Sequence, residues 1–313
     1  MPGTDATVEW RDFVSGQLIA ELLSLYSVDG QLDREAFRQQ VNFVAPFVTG
    51  LFVGGLAGDG MTLCPEDLAW QTVMARDEGR GLPVWQGVLP ADTETALQKI
   101  EQARRQGAIA VVVCGPVGHT AWALATEEFW SKVITLCALP LIIYDEPKLT
   151  ARCPVDIVID LLKHPQVIGY KDSTRDVIQA AIVTSQSSGK DYYSGSDGLT
   201  WPLMAMGACG VISLLVDPFP KLLKLLVGQA AENNVLAARD THQLVVHLRR
   251  LLTHWPNQDG YKIALQASGI GFPSYDYTDS SLSPAHLIKE VRALHHRYCS
   301  VPWAPWPATF DCG

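Results

Sequence analysis

Ala108-Ile109-Ala110-Val111-Val112-Val113-Cys114 and Pro140-Leu141-Ile142-Ile143-Tyr144 are two short apolar runs separated by a longer amphipathic stretch. β-Branched residues are prominent in both runs. Their near-continuous apolar character suits strands buried on both faces, as in a parallel sheet covered by helices. Parallel neighbours need a crossover, and 126–138 supplies it: Phe129, Trp130, Val133 and Ile134 recur at helical spacing, and Thr126 precedes Glu127 and Glu128 as a helix start. Together these segments form a βαβ unit.

The same alternation continues outward in both directions. Strand candidates fall at 17–24, 50–55, 83–88, 108–114, 140–144, 166–171, 190–195 and 209–214. Helical patterns lie near 33–48, 65–79, 92–106, 126–138, 154–163, 173–186 and 198–206, with an eighth from about 217. Pro65 and Pro154 suit first helical turns, and Gly107 follows a helix ending in Arg104 and Arg105. Eight units in sequence predict an α/β fold, a (β/α)8 TIM barrel over 1–216. A doubly wound sheet would also alternate, but Gly55, Gly58 and Gly60 do not match its Gly-x-Gly-x-x-Gly fingerprint. Over 217–300, Leu222, Leu225 and Leu226, then Leu244, Leu248 and Leu251, predict a C-terminal helical extension of the same domain. Residues 301–313 hold Pro302, Pro305 and Pro307 with Trp303 and Trp306, a tail unsuited to helix.

Hydrophobic residues make up 48% of the 313 and charged residues 18%, enough apolar material for a large core. The net charge of −9 argues against a broad nucleic-acid or anionic-membrane surface, since both need clustered Lys and Arg. No apolar run reaches the roughly 18 residues of a membrane span, and the first ten residues carry acids in place of an apolar signal core. A cytoplasmic location is expected. Seven cysteines, odd in number and without Cys-x-x-Cys spacing, predict neither a disulfide framework nor a zinc site. His242 and His247, with Asp240, read as a polar helical face whose spacing suits no shared metal, so no metal is proposed.

Lys171 ends the run Val167-Ile168-Gly169-Tyr170-Lys171-Asp172-Ser173. Strand alternation puts Val167, Gly169 and Lys171 on one face, and in a barrel the C-terminal strand ends open into the active-site mouth. A lysine among apolar walls is desolvated, which disfavours its charged form and leaves an amine able to attack a carbonyl carbon. The plainer reading is a lysine that snorkels from the rim or pairs with Asp172. Tyr144 ends the preceding strand, so both side chains could share one small ligand, the phenol relaying a proton; its plainer role is core packing. His119, on a loop expected over the same mouth, reads either as an acid–base group or as an exposed histidine. Asp145 and Glu146 read either as ligands of substrate hydroxyls or as solvated acids.

These segments resemble the dihydrodipicolinate synthase and N-acetylneuraminate lyase family of class I pyruvate aldolases, over residues about 18–270. Gly169-Tyr170-Lys171-Asp172-Ser173 is similar to that family's Gly-Ile-Lys-Asp-Ser, whose lysine forms the Schiff base. Tyr144-Asp145-Glu146-Pro147 resembles Tyr-Asn-x-Pro, whose tyrosine relays the proton. Ser194-Gly195-Ser196-Asp197 and Gly207-Ala208-Cys209-Gly210-Val211-Ile212-Ser213 resemble two further segments, which implies substrate contacts for Gly195, Asp197 and Ile212. Gly54-Gly55-Leu56-Ala57-Gly58-Asp59-Gly60 falls where the family holds the 2-oxo acid carboxylate, but Leu56 and Ala57 replace two threonines, leaving backbone amides as the anion nest. Leu149 stands where the lysine-pathway synthase has an arginine for its second substrate, and with Leu56 it predicts a less polar acceptor.

The resemblance implies a cofactor-free lyase acting on a small-molecule 2-oxo acid, with pyruvate as product or donor, assembled as a homodimer or homotetramer. Two alternatives stay open. The same iminium could expel hydroxide from a 3-deoxy-2-oxo sugar acid, or the barrel could bind a 2-oxo acid without turning it over.

Overall fold

A computed structural model describes residues 16–187, 189–271 and 283–297. The predicted tail at 301–313, together with Cys299 and Cys312, lies outside the described residues. Eight strands form one closed barrel in chain order, every neighbouring pair parallel. They are β1 Gln17–Glu21, β2 Gly50–Val53, β3 Val84–Val88, β4 Ala110–Cys114, β5 Leu141–Asp145, β6 Val167–Asp172, β7 Asp191–Ser194 and β8 Gly210–Ser213. The crossover helices are α1 Arg34–Val44, α2 Pro65–Glu78, α3 Thr93–Gln106, α4 Leu124–Leu136, α5 Val155–Leu162, α6 Val177–Gln186, α7 Thr200–Ala205 and α8 Pro220–Ala231. Then come α9 Val235–Leu252, α10 Asp259–Gln266 and α11 Pro284–Arg297.

Alternation along the strands sorts side chains into two layers. Ile19, Phe52, Trp85, Val112, Ile142 and Tyr144 fill the barrel interior. Leu18, Leu51, Val111, Ile143 and Tyr170 point outward under the helices. In α9, Leu244, Leu248 and Leu252 join the same buried cluster as Leu18 and Val41, so the C-terminal helices pack onto the barrel's own core.

Capping explains several helix boundaries. Asp33, Asp92 and Asp176 each accept a hydrogen bond from a first-turn amide, and Gly107 closes α3 with a left-handed φ of 89°. Two predicted starts differ. Thr126 is not the cap of α4, which begins at Leu124; its side chain is buried instead. α6 begins at Val177 rather than near 173, because Asp172 Oδ1 accepts from Thr174 N at 2.7 Å and Arg175 takes a φ of 64°, holding the chain in a loop up to Asp176.

The face assignment in β6 also needs correction. Leu141 pairs with Val167, but Ile142 pairs with Gly169, so Ile168 is an extra residue against β5. This bulge reverses the alternation at the strand's start. Val167 therefore packs in the outer layer with Tyr170, while Ile168 packs against the interior. Beyond the bulge, Lys171 still faces inward.

Candidate active site

Lys171 pairs in register with Tyr144 across β5 and β6, both at the C-terminal strand ends. Lys171 has no exposed surface, and its Nζ lies 4.1 Å from the centroid of the Tyr144 ring and 4.6 Å from that of Phe52. Two aromatic faces thus supply part of the solvation that water would give the cation. Asp172 is not its partner: Asp172 accepts from Thr174 and from the Tyr192 hydroxyl on the outer face.

The partner of Lys171 is Glu21, which was not singled out in the sequence. Lys171 Nζ donates to Glu21 Oε2 at 2.8 Å, and both side chains are buried. Glu21 Oε1 accepts from the Ala57 amide at 3.2 Å. Gly55 makes room for this bridge, since a Cβ there would sit 2.2 Å from Glu21 Oε1. The available signal was an acid ending the strand Gln17-Leu18-Ile19-Ala20-Glu21, two residues beyond the inward-facing Ile19.

Tyr144 donates its hydroxyl to Glu146 Oε2 at 3.2 Å. Burial, then the nearby carboxylates of Glu21 and Glu146, hold the phenol well above its ordinary pKa. It stays a neutral phenol, able to give a proton to one neighbour while receiving one from another. Neither Asp145 nor Glu146 is a solvated acid. Asp145 faces the outer layer, where it accepts from Tyr170 Oη at 2.8 Å and from the Cys153 amide. Burial, only partly offset by these hydrogen bonds, lifts its pKa to about 6.

A cavity of about 120 Å³ opens at this end of the barrel. Of the predicted site residues, Tyr144, Leu56, Ala57, Gly195, Asp197 and Ile212 line it, and Gly55 borders it through Glu21. Gly195 is required by close packing, as a Cβ would come 2.3 Å from Ser173 Oγ. Asp197 accepts from Ser213 Oγ at 2.5 Å; burial raises its pKa, offset in part by that bond and by Arg249. His119 is exposed and is not among the lining residues.

Sequence reasoning missed Lys148, Arg175, Arg249 and Tyr261, which also line the cavity. Arg249 and Tyr261 arrive from α9 and α10, far from the strand-end motifs, so no local pattern marks them. The expected apolar wall is only half present: Leu56 lines the cavity, while Leu149 packs against the interior layer. His242 is another correction. It is buried on α9 against Trp201, and burial lowers its pKa to about 4, so it belongs to packing rather than to a polar face. Among the described residues, no helix is long and apolar enough to cross a membrane.

A profile of the Dihydrodipicolinate synthetase family matches residues 14–279. The chain is 28% identical over 280 residues to a 4-hydroxy-tetrahydrodipicolinate synthase of Exiguobacterium sibiricum, covering 87% of this chain and 95% of that one. Its fold is shared by the 4-hydroxy-tetrahydrodipicolinate synthase of Methylacidiphilum fumariolicum SolV, with a TM-score of 0.82 at 21% identity over 92% of this chain and 99% of that one. It is shared as well by YagE, a prophage protein of E. coli K12 solved with pyruvate, with a TM-score of 0.80 at 20% identity over 90% and 98% of the two chains. With the family match spanning most of its length and the strand-end lysine and tyrosine in register, the chain belongs to the Dihydrodipicolinate synthetase family.

Proposed function

We propose that this protein is a class I lyase that forms a Schiff base between Lys171 and a 2-oxo acid, with pyruvate as donor or product. The observation that carries this reading is the placement of a fully buried lysine beside an in-register tyrosine at the catalytic end of the barrel. The Lys171 amine attacks the ketone carbon, the carbonyl oxygen leaves as water, and the iminium takes up the electron pair of the bond between the α and β carbons in cleavage, or of an α C–H bond in condensation, to give an enamine. Tyr144, a neutral phenol hydrogen-bonded to Glu146, moves the proton that accompanies bond making or breaking. Asp197 and the cations Lys148, Arg175 and Arg249 line the cavity wall, which supports a role for them in meeting polar groups of the second substrate.

The test is intact mass after incubation with pyruvate and borohydride, followed by peptide mapping. A reduced adduct on Lys171 that disappears in Lys171→Ala supports the reading. Saturable pyruvate binding without an adduct would replace it with a non-catalytic binding barrel. Release of an aldehyde would identify cleavage, and water loss without an aldehyde would identify a dehydratase. Assembly as a homodimer or homotetramer, proposed on the family resemblance, is read by light scattering of the purified chain.

A further inference from the structure

Glu21 lines the cavity, whereas Lys171, with no exposed surface, lies behind it and the Tyr144 ring. The Glu21 carboxylate bridges the Lys171 ammonium at 2.8 Å and the Ala57 amide at 3.2 Å. This is the arrangement a small carboxylate would adopt beside a Schiff-base lysine, with one oxygen on the cation and the other on a loop N–H. Here the protein's own side chain supplies it. The neighbouring strand end is closely fitted around Glu21: an ideal Cβ on Gly55 would lie 2.2 Å from Oε1 and 2.8 Å from the carboxyl carbon. A second carboxylate placed on the carbon joined to Nζ would meet Glu21 as a like charge in a buried space, where repulsion is poorly screened.

We propose that Glu21 is a specificity-determining residue: its carboxylate holds the seat between Lys171 and Ala57 that a 2-oxo acid's carboxylate needs. A 2-oxo acid enters by displacing Glu21, whereas a carbonyl compound without a carboxylate on the carbonyl carbon meets no such competitor. The inference rests on Lys171 as the Schiff-base residue and deepens that reading by naming what selects the carbonyl partner. The ion-pair partner of Glu21 is Lys171, which lies behind the cavity wall, so displacement sends the carboxylate to new partners in the cavity.

Acetone and pyruvate form the natural probe pair, because acetone is pyruvate with a methyl in place of the carboxylate. In each case the amine adds to the carbonyl carbon, oxygen departs as water, and borohydride delivers hydride to the C=N bond, leaving a stable secondary amine on Lys171. Adduct formation is measured against concentration for the full chain and for Glu21→Gln and Glu21→Ala. Glutamine removes the charge at constant size, so it keeps the test valid if alanine perturbs folding. The expected result is a roughly tenfold or larger gain in apparent pyruvate affinity, the scale of one hydrogen bond to a charged group, with acetone changed far less. An equal gain for both carbonyls would show that Glu21 acts on the lysine alone and would overturn the proposal. Loss of both adducts would overturn it in favour of proton transfer by Glu21. Unchanged pyruvate affinity, with adducts still forming, would overturn the seat assignment and leave the Lys171 reading standing. Absence of any adduct in all three proteins would overturn the Lys171 reading and the proposal with it.

Discussion

Lys171 Nζ lies over the face of the Tyr144 ring, 4.1 Å from its centroid, while the Tyr144 hydroxyl turns away to Glu146 Oε2 at 3.2 Å. The ring therefore solvates the cation and the hydroxyl serves a different partner. The two functions of one tyrosine can be separated by mutation.

Tyr144→Phe keeps the ring and removes the hydroxyl. Trapping of the pyruvate adduct should persist, while turnover should fall by on the order of 10²–10⁴, the usual contribution of a positioned acid–base group. Single-turnover kinetics beside borohydride trapping checks this. An equal fall in both would assign the hydroxyl to iminium formation instead.

Lys171→Met should abolish adduct formation and also destabilise the fold, because it strands the buried Glu21 carboxylate without its counter-ion. Breaking a buried pair from one side costs about 3–5 kcal/mol. Adding Glu21→Gln to Lys171→Met should recover most of that loss. Urea denaturation of the single and double variants reads both numbers, and no recovery in the double variant would contradict the pairing.

Gly55→Ala should act on Glu21 without changing any charge. Its Cβ would fall 2.2 Å from Glu21 Oε1 and 2.5 Å from the Phe52 ring, so both must shift. The expected cost is ~1–3 kcal/mol, in the range of overpacked cores. The measurement is a chemical denaturation midpoint, and a loss below the resolution of that measurement would show that the strand end yields freely.

Asp145 gives a pH signature with a defined sign. Burial raises its carboxyl from the ordinary 3.8 to about 6, so between those values the folded protein holds a proton that the unfolded chain releases. Stability contributed by that proton is present at about pH 4 and is lost as pH rises through about 6. Asp145→Asn, which mimics the protonated form, should lack this loss. The wild type should therefore weaken relative to the variant by on the order of 2–3 kcal/mol between pH 4 and pH 7. Paired denaturation curves across that range check it, and buried acids that do not interact with Asp145 cancel in the comparison; Asp172, which does interact, contributes to the difference.

The sequence by itself determined the barrel, the order of its strands and the level at which Lys171 and Tyr144 meet. Those features follow from local causes: apolar strand runs, helical periodicity, and capping residues such as Asp92 and Gly107. Only the tertiary structure decided what faces Lys171, because Glu21 and Lys171 are 150 residues apart and meet through barrel closure between β1 and β8. It also decided the inward phase of β6, since the bulge at Ile168 is a property of pairing with β5 and leaves no mark in one strand's composition. Arg249 and Tyr261 reach the cavity because α9 and α10 fold back over the mouth, and Leu149 leaves it because its side chain packs inward. Periodicity reports which face of an element is buried; which charges share that buried space is fixed by long-range packing alone.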